Sequence, residues 1–212
     1  MTVDERRNLV PAECAVVVAV AIVSVAGAWP DRWPTVLPLF VAASMFRWWR
    51  GGTWADIWHA APKGYASISL AVGVGGLVAA LVIGTPAIEA LSGRAIVWST
   101  YPMVRGSGMN FIAVALLAGA IAAASELVFR GWLVDRIVEL APSNGTLAIM
   151  VGGLAEALVT PGDFASRLGA GIVGTGLGWM YLAGNRTVVA TIPARVAFTL
   201  GAVLLEWLQV ID

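Results

Sequence analysis

The chain alternates long apolar runs with short polar breaks, and the lengths of the runs decide what they can be. A helix needs about 20 predominantly apolar residues to cross roughly 30 Å of hydrocarbon. Long runs lie at about 12–28, 65–91, 110–128 and 188–210, with shorter or glycine-rich ones at about 35–46, 147–159 and 168–183. The run at 35–46 is closed by Arg47-Trp48-Trp49-Arg50, and the one at 65–91 is long enough to tilt or to break at Pro86. The run starting at 110 continues helically to about Leu140. This pattern predicts an all-α fold, a polytopic membrane helix bundle of about seven transmembrane helices, with six to eight as the range. No room is left for a soluble domain, so residues 1–212 read as one integral membrane domain. The mixed charges of Asp4-Glu5-Arg6-Arg7 and the lack of a small-residue cleavage site argue against a signal peptide.

Composition agrees with that picture and removes whole classes of function. Hydrophobic residues make up 59% of the chain and charged residues 12%, against about 25% charged in a soluble domain. Thirteen basic and thirteen acidic residues cancel, so no basic face exists to attract nucleic acid. One cysteine, Cys14, excludes an internal disulfide, and one histidine, His59, excludes the common zinc sites. No metal and no cofactor is expected. The basic residues Arg6, Arg7, Arg47, Arg50, Lys63, Arg136 and Arg186 fall on the N-terminal side of seven spans, against Arg32, Arg94, Arg105 and Arg167 opposite. That excess favours a cytoplasmic N-terminus. Arginine far outnumbers lysine and Ala, Gly and Val abound, which suggests a GC-rich bacterium and its inner membrane. Six of the ten tryptophans fall between Trp29 and Trp58, and the segment Arg47–Lys63 reads as an interfacial stretch at headgroup level. His59 belongs to that stretch and reads as a surface residue.

Gly169-Ala-Gly171-Ile-Val-Gly174 spells the dinucleotide-binding pattern, but no strand precedes it and no acid follows before Glu206. It reads as helix packing, with Gly174 and Gly178 on one face, as does Val72-Gly73-Val-Gly75-Gly76. Charges within apolar runs are functional candidates, because each costs about 2.5–3.5 kcal/mol to insert at mid-membrane. Five stand out: Glu126, Arg130, Glu156, Arg195 and Glu206. Glu126 and Arg130 have the i, i+4 spacing and order of a helical ion pair. Glu156 and Arg195 form a second polar pair of candidates, free to pair with each other or to join Glu126 and Arg130.

The stretch Ala124-Ser125-Glu126-Leu127-Val128-Phe129-Arg130-Gly131-Trp132-Leu133 resembles the first motif of the CAAX protease and bacteriocin-processing (CPBP) family of intramembrane glutamic endopeptidases. That motif has two adjacent glutamates, three residues, then arginine, usually as Glu-Glu-Leu-x-Phe-Arg-Gly-x-Leu. The resemblance covers about residues 110–210. It extends to the glycine-rich run Gly169–Gly178 and to the stretch from Asn185 through Arg195 to Thr199, similar to the family's last motif. It implies a helical membrane fold in which a glutamate and histidines activate water against a peptide bond, with Glu126 and Arg130 as the retained motif residues.

The departures change that chemistry. Ser125 stands in place of the first glutamate, Arg195 in place of the last histidine, and Thr199 in place of the asparagine. The helix of the second motif, within Met150–Val159, has no histidine and only Glu156 as an ionisable residue. Arginine stays protonated and cannot act as a general base. A serine serves as nucleophile only with a neighbouring base, so Ser125 reads as a small residue at a helix interface. The reading that follows is a divergent, non-catalytic family member, a binding or assembly subunit of a membrane complex, in contact with membrane lipids and another membrane protein. In it Arg195 pairs with Glu126 or Glu156. A divergent protease using Glu126 and Glu156 is the first alternative. A lipid- or solute-handling protein with the charges as a relay is the second, though no internal repeat supports it. The oligomeric state and the partner's identity stay open.

Overall fold

The computed structural model describes residues 9–17, 19–20, 35–93, 95, 101–161 and 164–211. Within them the chain is helical, with turns between helices and no strand among the described residues. Residues 9–17 are helical; the rest of the expected span at 12–28 lies largely outside the described residues. The helices that follow are α1 (Val36–Trp49), α2 (Tyr65–Ala79), α3 (Thr85–Ser92), α4 (Gly108–Glu126), α5 (Asp135–Leu140), α6 (Gly145–Val159), α7 (Phe164–Ala183) and α8 (Ile192–Trp207). Each expected run after the first therefore has its helix, and the fold is an all-helical membrane bundle.

Among the described residues, three stretches are long and apolar enough to cross a membrane: Tyr65–Ala90, Gly108–Leu140 and Val188–Trp207. Val36–Trp49 and Gly145–Val159 are shorter apolar helices. The first long stretch does not break at Pro86. Its winding loosens to a π-helix over Ala80–Gly84, immediately before the proline, and resumes as α3. The Thr85 hydroxyl donates to the Ala80 carbonyl at 3.0 Å and so satisfies an oxygen beside the irregular turn. Gly93, in the left-handed conformation at φ 66°, ends α3 with its N–H on the Glu89 carbonyl.

The second long stretch joins α4 to α5 through another π-helical segment, Leu127–Val134. At 33 residues it is about 50 Å long, well beyond the hydrocarbon thickness. Its charged end, with Asp135, Arg136 and Glu139, is the part that composition would leave outside the lipid.

Contacts group the chain into two compact units, residues 1–62 with 124–191 and residues 63–123 with 192–212. In the first unit α6 and α7 pack at small residues, where a Cβ on Gly153 would lie 2.3 Å from Thr175 Oγ1 and 2.9 Å from the Gly171 carbonyl oxygen. Thr35 ties the start of α1 to the end of α6 by donating to the Val159 carbonyl at 3.0 Å. Trp132, fully buried, stacks on Phe46 at 6.3 Å between ring centres.

In the second unit α2 and α8 meet more tightly still. A Cβ on Gly73 would come 2.2 Å from the Ala194 carbonyl oxygen, and the Ala194 N–H donates to Ser69 Oγ at 2.9 Å. The expectation of close packing at Gly73 holds, whereas a Cβ at Gly75 would meet open space. Val104, Ala118 and Val203 form a small core there, with Phe111 and Trp207 packed against it.

Candidate functional site

Glu126 closes α4 and Arg130 follows inside the π-helical segment, so both leave the same rod on one side. Arg130 Nη1 lies 3.3 Å from Glu126 Oε1, which is the ion pair their spacing predicts. The same Nη1 lies 2.7 Å from Oε2 of Glu156, brought in by α6. Arg130 Nη2 donates to the Gly174 carbonyl of α7 at 2.8 Å. One guanidinium therefore joins three helical segments. All three charged side chains are at most 2% exposed.

Burying charges of this kind is costly, and the Coulomb gain offsets the desolvation only when geometry and hydrogen bonding are good. The local sequence supplies that geometry by giving up side chains. A Cβ on Gly174 would sit 2.8 Å from Glu156 Oε2 and 3.1 Å from the Gly153 Cα. Without glycine here, α7 could not bring its carbonyl to Arg130 while α6 brings its carboxylate. The glycine-rich run thus lies inside a helix and serves packing, and Gly178, with a Cβ position 3.5 Å from Ile149, lies on the same contact face.

Of the other sequence candidates, Ser125 is buried beside Glu126 at the end of α4. Arg195 and Thr199 are half-buried on α8 and belong to the second unit. Glu206, also on α8, is 1% exposed and accepts from the Tyr101 N–H at 3.0 Å, with Arg105 Nε 4.0 Å away. Burial and the neighbouring Glu206 carboxylate both push the Tyr101 hydroxyl above its ordinary range. His59 is exposed, and its carbonyl accepts from the Thr187 hydroxyl at 2.6 Å, as the Ile57 carbonyl does at 3.1 Å.

A second polar assembly in the first unit escaped the sequence reading. Arg50 pairs with Glu13 and, at 3.1 Å, with Glu139, and Arg136 also pairs with Glu139. Arg47 donates to the Thr53 carbonyl at 2.6 Å and to the Gly131 carbonyl at 3.0 Å, and its guanidinium lies over the Trp54 ring at 5.1 Å. Asp135 accepts from Tyr181 at 3.0 Å and from Arg186 at 2.7 Å. Burial works against the charge of Arg186, but the Asp135 carboxylate and the Tyr181 hydroxyl together outweigh it, and the proton is held more firmly than usual. The i, i+3 spacings of Arg47 with Arg50 and of Arg136 with Glu139 were the available signal. Arg50, Arg136 and Arg186, all assigned to one side of the membrane from sequence, share this assembly or the helix turn beside it.

The interfacial stretch is partly exposed as expected, with Trp48, Trp49 and Trp58 open. Trp54 departs from that pattern: it stacks on Phe40 at 5.5 Å and donates from Nε1 to Ser44 Oγ at 3.1 Å. Asp56 accepts from the Thr53 N–H at 2.6 Å, and this backbone hydrogen bond, against an opposing desolvation and with help from the Thr53 hydroxyl and Arg47, holds its carboxyl below the usual range.

Residues 105–201 match the family model described as type II CAAX prenyl endopeptidase, Rce1-like. The segment contains Glu126, Arg130, Glu156 and Arg195. No curated protein and no solved structure compared with the chain matches it. Over the matched stretch the chain resembles the CAAX protease family, and it is a CAAX-protease-like membrane protein.

Proposed function

We propose that this family member is non-catalytic and serves as a binding or assembly subunit of a membrane complex. The observation that carries the reading is the single guanidinium of Arg130 set between Glu126 and Glu156 at 3.3 and 2.7 Å. A general base must be able to take a proton near the working pH. Here each carboxylate serves as counterion to a permanently charged arginine, and the matched segment holds no imidazole to take over the task. The polar cluster is then a lock between helices, and the remaining apolar helix faces are available to lipid and to a second membrane protein. Placement in a bacterial inner membrane with a cytoplasmic N-terminus, supported by the arginine distribution, completes the proposal.

A second reading is favoured by one feature. The two carboxylates converge on one point, and two acids at one place are what a water-activating site without histidine would need. In that reading Glu126 and Glu156 share the proton transfers of a divergent protease.

Incubation of the purified protein in nanodiscs with prenylated CAAX peptides separates the two. The proposal expects no cleavage above that of Glu126→Gln, together with one membrane protein co-purifying from native membranes. Cleavage that disappears in Glu126→Gln or Glu156→Gln, in variants that still melt cooperatively, would overturn it.

A further inference from the structure

A cavity of about 420 Å³ opens in the first unit where α1 ends beside α5. Its charged lining is Arg47, Arg50, Arg136, Asp56 and Glu139, with Gly51 and Gly52 forming the wall between. The three guanidiniums and two carboxylates already pair among themselves, Arg50 and Arg136 with Glu139 and Arg47 with Asp56 at 3.8 Å. A ligand must therefore exchange with these ion pairs, and a simple ion of either sign would leave one partner of a pair stranded. A lone phosphate meets the arginines but also two carboxylates, and a lone ammonium meets the reverse. A ligand carrying both charges on one short frame satisfies the whole lining.

The lining is held from behind. Arg47 is fixed by the Thr53 and Gly131 carbonyls and by the Trp54 ring, and Arg50 by Glu13. Preorganised groups bind at lower entropic cost. Gly52 keeps the wall thin, since even a Cβ there would come 3.3 Å from Asp56 Oδ2. The mouth also has a definite depth. Trp48 and Trp49, next to Arg47 on α1, are 80% and 60% exposed, and Trp58 is exposed as well. Tryptophans of this kind settle at the headgroup level of a bilayer.

We propose that this cavity binds the headgroup of a membrane phospholipid that carries a primary amine, as phosphatidylethanolamine does. The phosphate faces Arg47, Arg50 and Arg136, and the ammonium faces Asp56 and Glu139. A primary ammonium can donate hydrogen bonds to both carboxylates, whereas a quaternary choline has none to donate and is recognised by aromatic cages instead. The inference concerns a site apart from the Arg130 cluster and holds for a catalytic and a non-catalytic chain alike.

Delipidated protein in mild detergent, titrated with phosphatidylethanolamine, phosphatidylcholine and phosphatidylglycerol and read by native mass spectrometry, tests it. The expected result is binding of phosphatidylethanolamine about fivefold tighter than the other two. Asp56→Asn, exposed and so tolerated by the fold, narrows that preference about threefold, the scale of one exposed ion pair. Equal occupancy by the three lipids, or a preference unchanged in Asp56→Asn, overturns the site. Glycerophosphoethanolamine competing as well as the intact lipid places the ligand in solution and overturns the lipid assignment.

Discussion

The two units each bury carboxylates within apolar helices, and they hold them by different means. In the first, Glu126 and Glu156 are held by Arg130, an internal cation that reaches both and also takes a carbonyl of a third helix. In the second, Glu206 accepts the N–H of Tyr101, with Arg105 at 4.0 Å and a third of its side chain exposed. The first arrangement depends on a charge that water cannot replace. The second includes a backbone N–H near a helix end and a partly solvated arginine, whose pairing adds little. Burial alone therefore does not rank these glutamates. What ranks them is whether removing the partner strands a charge.

The largest effect expected from this contrast is at Arg130. Arg130→Met leaves two carboxylates buried without their guanidinium, a loss of about 3–5 kcal/mol, read as a fall in unfolding free energy in mild detergent. Adding Glu126→Gln and Glu156→Gln to that variant removes the stranded charges and is expected to recover much of the loss; failure to recover would mean that packing, and not charge, dominates.

The glycine contacts sharpen the comparison at somewhat smaller scale. Gly73→Ala drives a Cβ into the Ala194 backbone, which has no rotamer to yield, at a cost of about 1–3 kcal/mol. Gly174→Ala pushes on the Glu156 carboxylate and the α6 backbone, so it should cost a similar amount and lose part of it when combined with Glu156→Ala. A thermal-melt cycle of the four proteins measures that coupling, and an additive result would sink the idea that Gly174 shapes the charge site.

In the second unit, Glu206→Gln keeps an acceptor for the Tyr101 N–H and is expected to cost about 1 kcal/mol, with Arg105→Ala below that. A loss as large as that of Arg130→Met would erase the contrast. The smallest effect belongs to Asp56. Its folded carboxyl lies below its ordinary range, so its contribution is full above the unfolded value and is lost as pH falls through the folded one. Asp56→Asn should flatten only that acid limb of a melting-temperature profile.

Much of the fold could be read from the lengths of the apolar runs, because a bilayer fixes how long a spanning helix must be. The Glu126–Arg130 pair could be read too, since i, i+4 spacing on a helix leaves little choice. Glu156 stood out as a charge in an apolar run, but its partner did not, because that depends on the rotation of α6 about its axis, set by Gly152, Gly153 and their neighbours. The Arg50–Glu139 pair joins residues 89 positions apart, and no local pattern announces such a contact. The loosened winding at 80–84 and 127–134 was also invisible. Pro86 marked the first place without telling whether the helix would break or stretch, and nothing in Leu127–Val134 marks the second.

That second loosened segment acts as a phase shifter along one continuous rod. In an α-helix each residue advances about 100° around the axis, and a wider i→i+5 coil advances less. Eight residues wound this way delay the angle at which everything after Val134 emerges, relative to an unbroken helix. The angular offset between Glu126 and the charges on α5 is thus fixed by how many residues the wide coil contains. Shortening that coil would turn Asp135, Arg136 and Glu139 away from Arg186 and Arg50 without altering a single one of those side chains.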